Sequence, residues 1–144
     1  MSAVDKIQLD WEAHLEALPL ATWITRTRAD PQGALVCGSV FLNGACRDAL
    51  GVTEGPAEDG AWTRYLHPED RQGVLSAWAA FVEGRSPRFD QVLRWIRPDT
   101  KETVSLAVRA QKLLCGDIQG WLRSTAAEEA LSRLEELTHA PARR

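Results

Sequence analysis

Residues 88–110 read RFDQVLRWIRPDTKETVSLAVRA. Phe89, Gln91, Leu93 and Trp95 fall on one face of an extended chain, and Val104, Leu106, Val108 and Ala110 on one face of the next. Pro98-Asp99-Thr100-Lys101 between them is turn-forming. The stretch is therefore a hairpin of two antiparallel strands, 88–97 and 102–114, with one apolar face that must be covered. Downstream, Cys115-Gly116-Asp117 turns the chain into a strand at 118–125. Upstream, ATWITRTR (21–28) and LVCGSVFL (35–42) read as strands around a turn at 29–33, and Gly38 marks a bulge.

Helices fill the rest. Ile7, Trp11, Leu15 and Leu18 recur at helical spacing over residues 5–17, and Pro19 stops that helix. Asn43 caps a short helix, 44–50, which Gly51 ends. Residues 52–60 are loop, and AWTRYL (61–66) is a short helical piece. His67-Pro68-Glu69-Asp70 opens a longer helix running to about Glu83. Pro68 suits its first turn, and the two acids suit the helix dipole. Val74, Trp78 and Phe81 make its buried stripe. A last helix, 126–138, precedes a basic tail. Strands and helices segregate along the chain. That order predicts an α+β fold: a five-stranded antiparallel sheet, a helix block (43–83) on one face, and flanking N- and C-terminal helices. The division is 1–17 for the first flanking helix, 18–125 for the domain, and 126–144 for the last helix and tail.

Composition narrows the function. With 144 residues, 44% hydrophobic and 26% charged, the chain is an ordinary globular domain. No apolar run approaches the roughly 20 residues of a membrane span. The N-terminus carries acids where a signal peptide needs a basic start, so a cytoplasmic protein is expected. The net charge of −3 argues against a nucleic-acid surface. Residues 85–112 are locally basic, with 7 basic and 3 acidic side chains. They are either a solvated sheet face or a docking surface for an acidic partner. Cys37, Cys46 and Cys115 have no CxxC spacing, and the three histidines have no metal-ligand spacing.

Several segments taken in order resemble the PAS domain in its common bacterial subfamily. Asn43-Gly44-Ala45 with Gly51 is similar to the family's N-x-A…G segment. Leu66-His67-Pro68-Glu69-Asp70-Arg71 is similar to its LHPEDR start of the long helix, followed by Trp78. Phe89-Asp90 and Arg94, before a turn with Asp99, resemble its third strand. Gly116-Asp117-Ile118-Gln119-Gly120-Trp121 resembles its last hairpin, and Glu128-Glu129-Ala130-Leu131 its trailing helix. The resemblance spans about residues 15–138. Arg26, Cys46 and Val104 depart from the pattern. The family's Asp-Ile-Thr linker after the fifth strand is also missing, since Ser124-Thr125-Ala126 runs into the terminal helix. That departure suggests a stand-alone module that signals through a partner protein.

The resemblance implies a small-molecule site between the sheet and the helix block, or a module that binds proteins alone. Haem needs an axial ligand. His67 stands at the helix entrance, where the family carries it without metal. A flavin photosensor needs a Cys in N-C-R-F-L before the long helix, and AWTRYL has none. No cofactor is expected, and the alternatives are no ligand or a small, mostly apolar one. The contacts of such a ligand would be Val74, Trp78, Gln91, Leu93, Trp95 and Leu106, with Gln91 either its polar handle or paired with a helix backbone group or water. There is no nucleophile elbow, phosphate loop or catalytic triad, so the expectation is not an enzyme. A small cone-fold isomerase is the remaining enzymatic alternative, and a sensor domain excised from a histidine kinase or cyclase is a non-enzymatic one. Ile7, Trp11, Leu15 and Leu18, with Leu134 and Leu137 of the last helix, are the candidate interface with a signalling partner or a second copy. The alternative is that both helices pack back on their own sheet. No nucleic acid or membrane is expected as partner.

Overall fold

The computed structural model of the protein describes residues 13–33, 35–53 and 61–139. Its elements are β1 (Thr22–Ala29), β2 (Leu35–Leu42), α1 (Gly44–Leu50), a 3-10 turn (Ala61–Tyr65), α2 (Pro68–Val82), β3 (Phe89–Ile96), β4 (Thr103–Lys112), β5 (Ile118–Ser124) and α3 (Thr125–His139). The five strands form one antiparallel sheet in the order β2-β1-β5-β4-β3. The last strand in sequence is the middle strand in space, and it joins the two hairpins. The α+β reading holds, and element ends differ from the expected ones by two residues at most where both are described. Of the expected first helix, residues 13–16 are helical, and its remainder lies mostly outside the described residues.

The buried sheet face follows the alternation. Phe89, Leu93, Trp95, Leu106, Val108, Ala110, Ile118 and Leu122 are buried, and α1, the 3-10 turn and α2 cover them. The β1–β2 register shifts by one between Thr25↔Val40 and Thr27↔Cys37. The extra residue falls at Gly38-Ser39, where a bulge is expected.

Asn43 fixes α1 to the sheet. Its side chain accepts from Cys46 N and from Thr22 N, each at 3.0 Å, and donates to the carbonyls of Leu15 and Leu20. An amide can be buried this completely because all four of its bonds are made. At the other end of α1, Arg97 Nη1 donates to the carbonyls of Asp48 and Ala49, and Trp95 Nε1 donates to Leu50 O at 2.9 Å. The orphan carbonyls of the helix end are satisfied by β3 and the residue after it.

The first turn of α2 departs from the simple dipole reading. Asp70 accepts the backbone N–H of Arg94 at 2.8 Å and also takes its guanidinium through Nε and Nη2, while Glu69 takes Nη2 at 3.1 Å. In return His67 N donates to Arg94 O at 2.9 Å, and Leu66 bridges to Trp95. β3 is an outer strand with unpaired backbone groups. The Leu66–Asp70 segment occupies that edge and pins the helix block across it.

The terminal helix meets β4 and β5 at its first turns, where Glu128 contacts Arg109 Nη1 at 2.6 Å and Arg123 Nη1 at 3.6 Å on the outer face. Beyond it, Leu131, Leu134 and Leu137 are 39%, 59% and 77% exposed.

Candidate ligand-binding site

Between the inner sheet face and the helix block lies a cavity of about 670 Å³. This is an ordinary size for a small-molecule site. Trp78 is the centre of its aromatic wall. Its ring centroid lies 6.0 Å from Trp23, 5.9 Å from Trp62 and 5.2 Å from Phe89, the last two edge to face. Tyr65 and Trp95 form a second pair at 5.1 Å. Leucine and valine side chains from β2, α1, β3, β4 and β5 complete the lining.

Local sequence explains how each wall is held. The 3-10 turn carries Trp62 and Tyr65 three residues apart, and eclipsed i, i+3 positions put both on one side. Gly51 leaves α1 with φ +71°, and a Cβ there would stand 2.8 Å from Asp99 Cγ. Glycine is therefore required for the chain to turn along the cavity beside the β3–β4 turn. The exposed lining residues Thr53, Arg64 and Asp99 mark the open side. Arg64 Cζ stands 5.9 Å from the Tyr65 ring centroid. Both oxygens of Asp99 are engaged, by the Arg97 guanidinium and by Thr100 N. The Arg97 hydrogen bond is the main cause that holds the Asp99 carboxyl below its usual range.

Of the residues named from sequence, Trp78, Leu93, Trp95 and Leu106 line the cavity. Val74 is buried in the core but does not line it, and Gln91 is half-buried and outside the lining. Gln91 is on the inner-face register, opposite Val108. Its neighbours on that face, Phe89 and Leu93, do line the cavity, so the face is as expected and the amide itself is not part of the lining. The polar groups at the cavity are instead those of its open side. Trp23, Trp62, Arg64 and Tyr65 also line the cavity and are not among the ligand contacts expected from sequence. The aromatic i, i+3 pair in AWTRYL was the available signal.

The candidate interface residues separate. Leu15 is half-buried, Leu18 is 39% exposed, and Leu134 and Leu137 face solvent. Ile7 and Trp11 lie outside the described residues. The basic segment is largely matched inside the chain: Arg85 to Glu83, Arg94 to Asp70 and Glu69, Arg97 to Asp99, and Arg109 to Asp90 and Glu128. That pairing favours the solvated-face reading over a basic docking surface. Among the described residues no group of three or more His, Cys, Asp or Glu is placed to hold a metal ion, and no helix is long and apolar enough to cross a membrane. Cys46 is fully buried, and burial pushes its thiol up to about 12.

A family model described as PAS fold matches residues 39–117, more than half of the chain. The chain belongs to the PAS family. Solved structures agree on the fold. A sensory box histidine kinase/response regulator from Burkholderia thailandensis E264 is 21% identical, covering 91% of this chain and 98% of that one, with a TM-score of 0.53. A PAS domain from Colwellia psychrerythraea is 15% identical over 82% and 96%, with a TM-score of 0.57. The N-terminal domain of a diguanylate cyclase with PAS/PAC sensor from Marinobacter aquaeolei is 16% identical over 76% and 97%, with a TM-score of 0.55. No curated protein matches the chain. At these identities the likeness to solved structures is one of PAS architecture.

Proposed function

We propose that this PAS domain is a sensory module of cytoplasmic signal transduction. It holds a small ligand between sheet and helix block and passes its state on through protein–protein contacts, without catalysis of its own. The observation that carries this reading is the cavity itself: about 670 Å³, walled by Trp23, Trp62, Trp78 and Trp95 and open on one polar side. Tryptophans packed only as core would leave no such space. The output surface in this reading is α3, whose Leu131, Leu134 and Leu137 are exposed on a helix tied to the outer sheet face at Glu128. Ala127, Ala130, Leu134 and Leu137 follow 3-4-3 spacing, which suits a partner helix or the same helix of a second copy. Within the family we assign the chain to the subfamily with the LHPEDR segment, on Leu66–Arg71. Nucleic acid and membrane are not partners in this reading.

A second reading makes the chain the sensor domain of a longer histidine kinase or cyclase. The proteins named for the Burkholderia and Marinobacter structures favour it. Both readings share the ligand site. Native mass spectrometry of freshly purified protein tests it by reporting retained ligand and oligomer together. A retained small molecule that is lost in Trp78→Ala, or a dimer that is lost in Leu134→Glu, is the expected result. A bare monomer that gains mass with no compound in a small-molecule screen would overturn the sensory reading.

A further inference from the structure

The chemistry of the cavity narrows the ligand class, provided that the cavity is a ligand site as proposed above. Every buried residue of its described lining is Leu, Val, Phe or Trp, from Leu42 and Leu50 on one side to Leu106 and Leu122 on the other. Trp95 supplies the sole hydrogen-bonding side-chain atom among them, and its Nε1 donates to Leu50 O at 2.9 Å. Where this lining leaves the sheet, its carbonyls are engaged as well. Leu42 O accepts from Arg47 Nη1 at 2.6 Å, and Leu66 O from Arg71 Nη2 at 3.4 Å.

The buried polar side chains of the domain lie elsewhere. Among the described residues they are Thr22, Thr25 and Asn43, and none of them lines the cavity. Thr22 Oγ1 donates to Gly120 O at 2.8 Å, and Asn43 makes its four bonds around the start of α1. Every described lining side chain other than Trp95 that carries a hydrogen-bonding atom, from Trp23 and Trp78 to Tyr65 and Asp99, is half-buried or exposed. The buried end is thus a hydrocarbon surface. A polar ligand atom placed there loses its water and finds no replacement. A hydrocarbon gains area and dispersion contact from the same walls.

We propose that the buried end of the cavity takes an uncharged hydrocarbon group, with no hydrogen-bonding atom of the ligand inside it. Nucleotides, sugars and nitrogen heterocycles with donors or acceptors on several sides strand one of them there in every orientation. A ring hydrocarbon, or a larger molecule with a hydrocarbon end, has a side that strands none.

Equilibrium dialysis of the full 144-residue chain against three flat probes of one shape tests this. The probes are naphthalene, quinoline, whose single nitrogen can stay at the open side, and 1,5-naphthyridine, whose two nitrogens lie at opposite ends. Naphthalene is expected to bind tightest and naphthyridine about tenfold or more weaker, with quinoline between them. Leu106→Phe fills the buried end and should abolish naphthalene binding in a protein that still melts cooperatively. Trp62→Leu, at a half-buried position of the 3-10 turn, leaves the sheet untouched and should weaken naphthalene. If naphthyridine equals or exceeds naphthalene, the buried end holds a hydrogen-bond donor, and the hydrocarbon assignment is wrong while the ligand site stands. If naphthalene binds the parent and both variants alike, it binds outside the cavity and the inference is overturned. If no probe binds up to its solubility limit, the ligand-site reading itself falls and this inference with it.

Discussion

Gly120 of β5 lies directly beneath the indole of Trp23 on β1. The two are cross-strand partners, and a Cβ at position 120 would stand 2.6 Å from Trp23 Nε1 and closer still to two ring carbons. The glycine in Gly120-Trp121 is thus explained by a residue nearly 100 positions away in sequence. An aromatic ring laid over a strand glycine replaces the packing that the glycine lacks. It also sets the angle at which Trp23 meets Trp78 in the cavity wall.

Gly120→Ala should therefore displace the Trp23 ring rather than merely fill space. A loss of about 1–3 kcal/mol in a urea melt is expected from overpacking. Trp23→Ala in the Gly120→Ala background should recover part of the difference between Ala and Gly at 120. A Gly120→Ala protein as stable as the parent would show that the indole is free to move.

Asn43→Ala should be among the most damaging single changes. It removes the cap of α1, the acceptor for Thr22 N and the donor to Leu15 and Leu20 carbonyls together. Leaving those buried groups unpaired costs about 2–3 kcal/mol, read as a shift in the denaturation midpoint. Asn43→Asp keeps the acceptor and loses the two donated bonds, so it should fall between the parent and Asn43→Ala.

Acid stability should report the clasp between α2 and the β3 edge. Hydrogen bonds from the Arg94 guanidinium, then from its backbone N–H, lower the Asp70 carboxyl from 3.8 to about 2. A carboxylate with a depressed folded-state pKa stabilises the fold above its unfolded value, and that contribution is lost as pH falls toward the folded value. Melting midpoints should therefore drop between about pH 4 and pH 2. Asp70→Asn should start lower at neutral pH and show a shallower drop through the same window. An unchanged slope in Asp70→Asn would remove Asp70 from the acid response.

Thiol chemistry should divide the three cysteines. Cys115 is exposed at the β4–β5 turn, whereas Cys37 and Cys46 are buried. Burial keeps Cys46 a neutral thiol far above physiological pH. A thiol reagent under native conditions should label one site per chain quickly, mapped to Cys115 by peptide mass, and reach the other two only in denaturant. Fast native labelling at Cys46 would mean that α1 opens readily.

Much of the fold was legible because its signals are local. Alternation over 88–110, the turn at Pro98–Lys101, the Asn43 cap and the Gly51 stop each depend on residues a few positions apart, and chain stereochemistry alone sets them. The order of the segments then implied an antiparallel sheet with a helix block on one face. Four cavity residues, Trp78, Leu93, Trp95 and Leu106, followed from that order, since facing apolar stripes must meet. What tertiary structure decided depends on distance through space. Periodicity placed Gln91 on the inner face with Phe89, Leu93 and Trp95, but only the packing of the helix block decided that those three line the cavity and Gln91 does not. Glu69 and Asp70 read as dipole partners of their own helix until Arg94, 24 residues on from Asp70, came within hydrogen-bond reach. Trp23 and Arg64 joined one cavity because β1, the 3-10 turn and α2 converge there. The helical spacing of Leu134 and Leu137 was local, whereas their exposure was decided by how α3 leaves the sheet. Sequence period fixes which face a side chain takes on its own element, and packing between elements fixes what that face meets.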